Sequence, residues 1–254
     1  MFSLAGQVAL VTGGSSGLGL AIAEGFAANG ATVVIAGIDG EECREQAESL
    51  KTRGYDVHAR GCDVTEQNQI DELVQSVEAE IGAITTLVCN AGIQGPAAPV
   101  LSVSEADWSQ VFAVNFWGAL RLAQRVVPGM AQRGGGSVIL MSSIAGLRGN
   151  KVIGAYGVTK AALSQLARNL AVEWGPKGIR VNAIAPGLIR TPLAKDLLAS
   201  NEFMHRRLAL TPSRRVGEPF EIAGPAIMLA SAAGAFVNGQ TLVVDGGTLI
   251  SDGN

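Results

Sequence analysis

The chain alternates short apolar runs, rich in β-branched residues, with longer helix-like segments. The alternation predicts a doubly wound, Rossmann-type α/β fold: a seven-stranded parallel sheet with helices on both faces. The predicted strands are Val8–Val11, Thr32–Ala36, Val57–Cys62, Thr86–Cys89, Ser137–Met141, Arg180–Ile184 and Thr241–Val244. The predicted helices are Gly17–Asn29, Gly40–Arg53, Glu66–Ile81, Glu105–Arg133, Tyr156–Trp174 and Pro219–Ala232.

No linker, repeat or block of charge divides the 254 residues, so we predict one domain over residues 1–254. Segment 188–219 fits the alternation least, because it sets five arginines among leucines, and we expect an irregular or helical excursion there. Thr65 and Ser104 stand where helix N-caps belong, and Ser104 with Asp107 resembles a capping box.

Composition narrows the class of protein. A hydrophobic content of 48% with 16% charged residues excludes a disordered chain. A net charge of −3 leaves no basic surplus for nucleic-acid binding. Three scattered cysteines do not form a disulfide framework, the first residues lack a cationic leader, and no apolar run is long enough to span a membrane. We expect a cytoplasmic protein without a nucleic-acid or membrane partner.

The loop after the first predicted strand is rich in glycine. Residues 12–19 read TGGSSGLG and lead into a predicted helix. Glycines let the main chain turn sharply and approach a pyrophosphate, which the helix N-terminus binds through free N–H groups. The spacing and the strand–loop–helix context favour a dinucleotide site over an ordinary tight turn.

Two other uses of this loop fail on residue chemistry. A phosphate-binding P-loop needs a lysine and a hydroxyl residue after its last glycine, but Leu20 and Ala21 follow. Residues 13–17 also match the hydrolase elbow G-x-S-x-G, which needs an acid and then a histidine later in the chain. The two histidines, His58 and His205, lie in a predicted strand and in an arginine-rich segment. We interpret this match as chance.

Catalytic candidates stand on and before one predicted helix. Tyr156 and Lys160 are four residues apart and share a face, where a cation favours the phenolate and lowers the tyrosine pKa. Ser142 and Ser143 end the preceding strand, at the sheet edge where parallel sheets bind ligands. The alternative for either serine is a cap or turn.

Together these residues resemble the single-domain form of the short-chain dehydrogenase/reductase family. The resemblance covers nearly the whole chain. Its markers, in order, are Thr12-Gly13-x-x-x-Gly17-x-Gly19, Asp63, Asn90-Ala91-Gly92, Asn115, Ser143, Tyr156-x-x-x-Lys160, Pro186-Gly187 and Asp245-Gly246-Gly247. The family often has asparagine where this chain has Cys89, which we expect to pack as a small buried side chain.

The resemblance implies an NAD(P)-dependent oxidoreductase that interconverts a ketone and a secondary alcohol by hydride transfer. It makes Tyr156 the proton donor and acceptor, with Lys160 lowering its pKa and holding the nicotinamide ribose. Ser143 would bind the substrate oxygen; it is chosen over Ser142 because the family serine lies thirteen residues before its tyrosine. Asn115 would position a water in the proton relay, the alternative being a polar residue that bonds main chain inside a helix.

The resemblance also implies the cofactor contacts, and it implies no metal. Asp63 would contact the adenine, with a turn or cap role as its alternative, and Asn90 would support the sheet and the cofactor edge. The full set of implied contacts is Gly13, Ser15, Ser16, Gly17, Leu18, Gly19, Gly37, Ile38, Asp39, Asp63, Val64, Asn90, Ala91, Gly92, Tyr156, Lys160, Pro186, Gly187, Ile189 and Thr191.

The end of the second strand bears on cofactor choice. A carboxylate that binds both ribose hydroxyls of NAD would fall at Gly37, and the basic residues that favour NADP are replaced by Ile38 and Ser16. The nearest acid is Asp39. We predict a modest preference for NAD, the alternative being that Gly37 leaves room for the 2′-phosphate of NADP.

The substrate is predicted only by class. The expected pocket walls, Gln94–Val100, Ile144–Leu147, Ile153 and Leu188–Leu210, are mainly apolar and predict a medium-sized hydrophobic ketone or alcohol, unless these leucines close a lid or an interface. Arg206 and Arg207 would suit an anionic tail, which makes a 3-oxoacyl thioester reductase the alternative within the family. A dinucleotide-sensing regulator without catalysis is the alternative outside it. The resemblance implies a homotetramer.

Overall fold

The computed structural model describes residues 1–251; residues 252–254, which the predicted domain includes, lie outside the described part. Seven parallel strands form one sheet in the order β3-β2-β1-β4-β5-β6-β7. They are β1 Val8–Thr12, β2 Thr32–Gly37, β3 Val57–Gly61, β4 Thr86–Cys89, β5 Gly136–Met141, β6 Ile179–Pro186 and β7 Thr241–Val244. The predicted doubly wound parallel sheet is confirmed.

Helices cover both faces of the sheet. They are α1 Gly17–Ala28, α2 Gly40–Thr52, α3 Gln67–Glu80, α4 Glu105–Phe112, α5 Gly118–Gln132, α6 Gly154–Trp174, α7 Lys195–Ala199, α8 Asn201–Ala209 and α9 Phe220–Ala230. Helices α3, α5 and α6 bury their apolar faces in one core, and α1, α2 and α9 bury theirs in the other. The central strands are buried on both sides, which explains their near-continuous apolar runs.

The strand order reverses direction at β1, which pairs with β2 on one side and with β4 on the other. Open α/β sheets bind ligands outside the carboxyl ends of their strands at such a switch point. The glycine-rich loop follows β1, and the loop from Asn90 follows β4. The fold therefore brings both segments to the same edge of the sheet.

Two local predictions differ from the structure. The predicted helix 105–133 is interrupted by a π-helical turn, Ala113–Trp117, that separates α4 from α5. The Thr65 N-cap is wrong: Glu66 occupies that position, and the Thr65 hydroxyl donates to Asp63 at 2.8 Å instead. The Ser104 cap is confirmed, since its hydroxyl accepts from the Asp107 N–H at 3.1 Å.

Segment 188–219 contains the short helices α7 and α8 and a 3₁₀ turn, Pro192–Ala194. A β-bridge between Ile189 and Gly217 joins its two ends. The two ends of the excursion are therefore held together, close to the end of β6. In residues 1–251, no helix is long and apolar enough to cross a membrane.

Candidate active site

The glycine loop is shaped by positions that need the absence of a side chain. Gly13 and Gly17 have φ values of +61° and +54°, which side-chain-bearing residues rarely adopt. A Cβ on Gly19 would stand 2.0 Å from the Gly13 carbonyl oxygen. No described side chain caps the N-terminus of α1, so its first N–H groups remain available to an anion. This cradle fits the pyrophosphate of a dinucleotide.

Asn90 ties the end of β4 to this loop. Its side-chain amide donates to the Thr12 and Gly13 carbonyl oxygens at 3.0 and 2.9 Å. The Thr12 hydroxyl in turn accepts from the N–H groups of Asn90 and Ala91. These bonds set the distance between the two loops, as expected of a residue that supports the sheet. Cys89 is buried as predicted, and burial raises the pKa of its thiol to about 12.

The two serines after β5 have different environments. The Ser142 hydroxyl is buried; it donates to the Lys160 carbonyl oxygen at 2.7 Å and lies 2.9 Å from the Ser164 hydroxyl. Ser142 therefore fixes β5 to α6. The Ser143 hydroxyl accepts from the Ala145 N–H at 3.1 Å, and it lies close enough to Tyr156 to favour the phenolate form and lower its pKa. Of the two, only Ser143 meets the tyrosine.

Tyr156 and Lys160 face the same site from α6. The Lys160 ammonium lies 5.4 Å from the centre of the Tyr156 ring and donates to the Met141 carbonyl oxygen at 2.7 Å. Burial lowers the pKa of Lys160 to about 8. Burial raises the pKa of Tyr156, and the hydrogen bond from Ser143 offsets part of that rise. The expected net lowering of the tyrosine pKa is thus not seen, because dehydration of the phenol outweighs the bond that favours its phenolate.

Asn115 lies in the π-helical turn with its side chain 1% exposed. Its oxygen accepts from the Ile93 N–H at 2.8 Å, and its nitrogen donates to the Ile93 carbonyl oxygen at 2.9 Å and to Thr159 at 3.1 Å. A Cβ on Gly92 would come within 3.3 Å of Asn115 and Lys160. The side chain thus bonds the loop after β4 and Thr159 of α6, and not the main chain of a helix as the alternative supposed.

Two adjoining cavities meet at these residues. The glycine-loop cavity encloses about 180 Å³, and the excursion cavity, beneath segment 188–219, encloses about 140 Å³. Tyr156, Ser142 and Thr191 line both cavities, together with Leu18 and Leu193. The predicted residues that line the glycine-loop cavity are Gly13, Ser16, Gly17, Leu18, Asn90, Ala91, Gly92, Tyr156, Lys160 and Thr191. Ser143, Pro186, Gly187 and Ile189 line the excursion cavity.

The predicted ribose contacts gather at the end of β2. A Cβ on Gly37 would lie 3.0 Å from the Cys43 sulfur and 3.8 Å from the Ser15 hydroxyl. The Asp39 carboxylate caps α2 by accepting from the Glu41 and Glu42 N–H groups. The Ser15 hydroxyl donates to Glu42 at 2.8 Å. Ile38 is 78% exposed beside this corner.

Asp63 and Val64 lie outside both cavities. The Asp63 carboxylate accepts from the Thr65 N–H and hydroxyl, each at 2.8 Å, as in the turn role left open for it. Val64 is buried against Gly118 at the start of α5, where a Cβ would meet it at 2.8 Å.

Three residues of the site were not predicted in these roles. Arg148 and Asn150 line the excursion cavity just outside the expected walls, and Glu42 contacts the glycine loop. Arg207 lines the cavity from within an expected wall, whereas Arg206, which was expected beside an anionic tail with Arg207, does not line it. Among residues 1–251, no cluster of histidine, cysteine and acidic side chains is arranged to hold a metal.

Comparison with known proteins agrees with this geometry. Residues 13–248 match the family model described as enoyl-(acyl carrier protein) reductase. Gluconate 5-dehydrogenase of Gluconobacter oxydans is 36% identical over 251 residues, which cover 99% of this chain and 98% of the relative. The crystal structure of a gluconate 5-dehydrogenase from Burkholderia cenocepacia in complex with NADP and tartrate matches with a TM-score of 0.95 at 37% identity, covering 98% of each chain. A 7α-hydroxysteroid dehydrogenase complexed with NADH and 7-oxo glycochenodeoxycholic acid matches with a TM-score of 0.93 at 36% identity, covering 97% of this chain and 95% of that one.

Proposed function

Because the chain belongs to the short-chain dehydrogenase/reductase family, an oxidoreductase family whose relatives interconvert ketones and secondary alcohols, we propose that Tyr156 is the acid and base of this reaction. The observation that carries the proposal is the position of Tyr156 in the wall shared by the two cavities, from which it would reach both a cofactor and a substrate. The glycine-loop cavity binds the dinucleotide, and the excursion cavity binds the substrate.

The nicotinamide dinucleotide supplies or accepts the hydride when bound. Tyr156 delivers its proton to the carbonyl oxygen during reduction and removes it from the alcohol during oxidation. Ser143 hydrogen-bonds the same oxygen and stabilises its developing charge. Lys160, held by the Met141 carbonyl oxygen, keeps a buried ammonium beside the phenol and holds the nicotinamide ribose.

The predicted contacts divide by position into cofactor regions. The α1 N-terminus and Gly13 to Gly19 would hold the pyrophosphate. Gly37, Ile38 and Asp39 would hold the adenosine ribose, and Asp63 with Val64 would contact the adenine. Asn90, Ala91 and Gly92 would support the nicotinamide side, and Pro186, Gly187, Ile189 and Thr191 would bind the carboxamide.

A preference for NAD over NADP follows from the charges at the end of β2, where the adenosine ribose would bind. Asp39 caps α2 there, and Glu42 reaches the Ser15 hydroxyl, so two carboxylates would repel a 2′-phosphate. Arg44, the nearest cation on α2, is already paired with Glu41. The structural relatives include two structures with NADP and one with NADH, so both cofactors occur among them and the preference rests on this chain's own residues. Fluorescence titrations with NADH and NADPH test it, and equal affinities would overturn it.

The excursion cavity favours a substrate with an apolar body. Its walls include Ile144, Ile153, Leu188 and Leu197 as predicted, and Ser143 and Tyr156 are among its polar groups. We therefore keep a medium-sized ketone or secondary alcohol as the substrate. A panel of ketones and acetoacetyl-coenzyme A, assayed with both cofactors, separates this substrate from the 3-oxoacyl thioester alternative.

Replacing Tyr156 by phenylalanine tests the catalytic assignment. Tyr156→Phe keeps the ring but removes the proton, so turnover should fall by about 10²- to 10⁴-fold while dinucleotide affinity changes little. The matched control is Tyr55→Phe, at the chain's other tyrosine, which lies outside both cavities. Full activity in Tyr156→Phe would return the regulator interpretation to consideration.

Exposed apolar side chains support a homotetramer. Phe236 and Phe220 near α9, and Val158 and Val172 on α6, are large and exposed, and burial between copies would remove them from water. Mass photometry should give a particle of four 26.1 kDa chains. A reducing, cytoplasmic location accords with three free cysteines, all of them buried.

A further inference from the structure

Two arginines reach the excursion cavity from separate segments. Arg148 follows the 3₁₀ turn Ile144–Gly146 after β5, and Arg207 lies in α8. Both line the cavity that also contains Ser143 and Tyr156. Neither lines the glycine-loop cavity, so their charges do not face the site proposed for the cofactor pyrophosphate.

Neither guanidinium group is neutralised by the protein. Within residues 1–251, no carboxylate oxygen lies within 4.0 Å of Arg148 or Arg207. Two arginines of the excursion are paired: Arg190 lies 3.0 Å from Glu218, and Arg215 lies 2.6 Å from Glu221. Among the described residues, Arg206 and Arg214 also lack a carboxylate partner, but they are exposed outside the cavity, whereas Arg148 and Arg207 line it.

One acid acts on Arg207 from a distance. The Asp245 carboxylate raises the pKa of Arg207, but both of its oxygens are occupied by main chain, accepting from the Gly247 N–H at 2.8 Å and the Leu249 N–H at 2.6 Å. Burial and the repulsion from Arg148 and Arg206 outweigh it and lower the pKa of Arg207. The positive charges of Arg148 and Arg207 therefore repel each other at a site that is partly shielded from water.

A side chain also holds one of these groups in position. The Arg207 guanidinium lies 5.4 Å from the centre of the Phe203 ring, one turn earlier in α8. Both arginines are half-buried, which limits their hydration. Two unpaired and partly dehydrated guanidinium groups, one of them held over an aromatic ring, can bind a carboxylate through paired N–H···O bonds.

We propose that Arg148 and Arg207 bind the carboxylate of the substrate, so that the enzyme acts on a keto acid and the matching hydroxy acid. The proposal deepens the proposed function and rests on it, since Tyr156 and Ser143 must meet the carbonyl group in the same cavity. The carboxylate fixes which end of the molecule enters, and the distance from it to the carbonyl group selects chain length.

Matched pairs of substrates test the charge alone. Unbranched oxo acids from 4-oxopentanoate to 7-oxooctanoate, and 5-keto-D-gluconate, are assayed with the preferred cofactor; each oxo acid is compared with its methyl ester. The wild-type enzyme should prefer the acid at one or more chain lengths. Arg148→Gln and Arg207→Gln should each lower the acid-to-ester ratio of kcat/KM by about 10- to 100-fold, mainly through the KM of the acid. The corresponding lysine variants should recover part of the ratio.

Arg206→Gln is the matched control, because Arg206 neighbours Arg207 on α8 but is exposed and outside the cavity. It should change the acid-to-ester ratio less than threefold. A wild-type preference for esters at every length, or equal ratios in wild type and both cavity variants, would overturn the proposal.

A binding readout separates this proposal from the proposed function. If wild type reduces no ketone with either cofactor, the reaction assignment fails, and thermal shifts with 4-oxopentanoate and its ester at constant ionic strength decide the anion site. A shift with the acid that is lost in Arg148→Gln and Arg207→Gln supports the site. No shift in wild type, or an equal shift in the variants, rejects it.

Discussion

Asn115 and Ile93 form a two-way hydrogen-bonded pair in which the side chain of one meets the main chain of the other. The Asn115 oxygen accepts from the Ile93 N–H at 2.8 Å, and its nitrogen donates to the Ile93 carbonyl oxygen at 2.9 Å. The pair joins the π-helical turn to the loop after β4, whose residues Ala91 and Gly92 line the glycine-loop cavity. The π-helical turn therefore supports one wall of the glycine-loop cavity.

Asn115→Ala should therefore weaken both folding and cofactor binding. It leaves the Ile93 N–H and carbonyl oxygen without their partner, and we expect the free energy of unfolding to fall by about 1–3 kcal/mol. The Kd for the preferred dinucleotide should rise as the loop loosens. Urea unfolding and a fluorescence titration measure the two effects.

Asn169→Ala is the control, because Asn169 is exposed on α6 and bonds only a neighbouring glutamine side chain. It should change stability by less than about 0.5 kcal/mol. Equal stability of the two variants would show that the Asn115 pair does not hold the loop.

Lys160 should give stability a particular pH dependence. Its pKa is about 8 in the folded protein against an ordinary 10.5, so between these values the unfolded chain binds more protons and stability rises with pH. Below pH 8 both states carry the charge, and the cost of burying it is constant. The difference in unfolding free energy, wild type minus Lys160→Met, should thus increase from pH 8 to about pH 10.5.

Urea unfolding at a series of pH values measures that difference. Lys177→Met removes an exposed lysine that lies over the Trp174 ring, and its difference from wild type should change much less with pH. A Lys160→Met difference that stays flat or decreases over this range would mean that the lysine is hydrated in the folded protein.

The pattern of the sequence predicts the sheet well because each strand and helix is defined by residues close together in the chain. The π-helical turn escapes such a prediction, since it depends on a contact between Asn115 and Ile93 across separate elements. The Arg148–Arg207 pair escapes it for the same reason: the sequence groups Arg207 with its neighbour Arg206, and Arg148 alone resembles a solvated surface charge. The two arginines can be interpreted as one binding site only once the fold brings them to the same cavity.

The proposed catalytic residues, by contrast, can be recognised from their spacing in the sequence. Tyr156 and Lys160 are one helical turn apart, so spacing alone predicts a shared face. Spacing does not predict the direction of the tyrosine pKa, because burial is a property of the folded chain. Likewise the choice between Ser142 and Ser143 follows from the resemblance, while its physical reason is that Ser142 bonds α6.

The Glu42 carboxylate should lower the affinity for NADPH, because it lies near the end of β2, where the adenosine ribose would bind. Its carboxylate accepts from the Ser15 hydroxyl at 2.8 Å, which places a negative charge on the glycine loop itself. Removing the charge in Glu42→Gln should improve NADPH affinity relative to NADH affinity by about 3- to 10-fold, the effect of one like charge in a wet site. Glu45→Gln, an exposed acid on the same helix, should leave the ratio of the two Kd values near that of wild type. An unchanged ratio in Glu42→Gln would assign cofactor choice to Gly37 and Asp39.

Two glycine-to-alanine substitutions should differ in their effect on cofactor binding. At Gly19 the new Cβ would stand 2.0 Å from the Gly13 carbonyl oxygen, so the loop must move away from the α1 N-terminus. At Gly224, exposed on α9, a Cβ meets no described atom within 4 Å beyond its chain neighbours, of which Pro225 crowds a side chain at the residue before it. We expect Gly19→Ala to raise the Kd for NADH by about tenfold or more, which corresponds to about 1.4 kcal/mol. We expect Gly224→Ala, which changes only the helix itself, to leave that Kd unchanged. Wild-type NADH affinity in Gly19→Ala would show that the loop tolerates the side chain and that its glycines are not what shapes the pyrophosphate cradle.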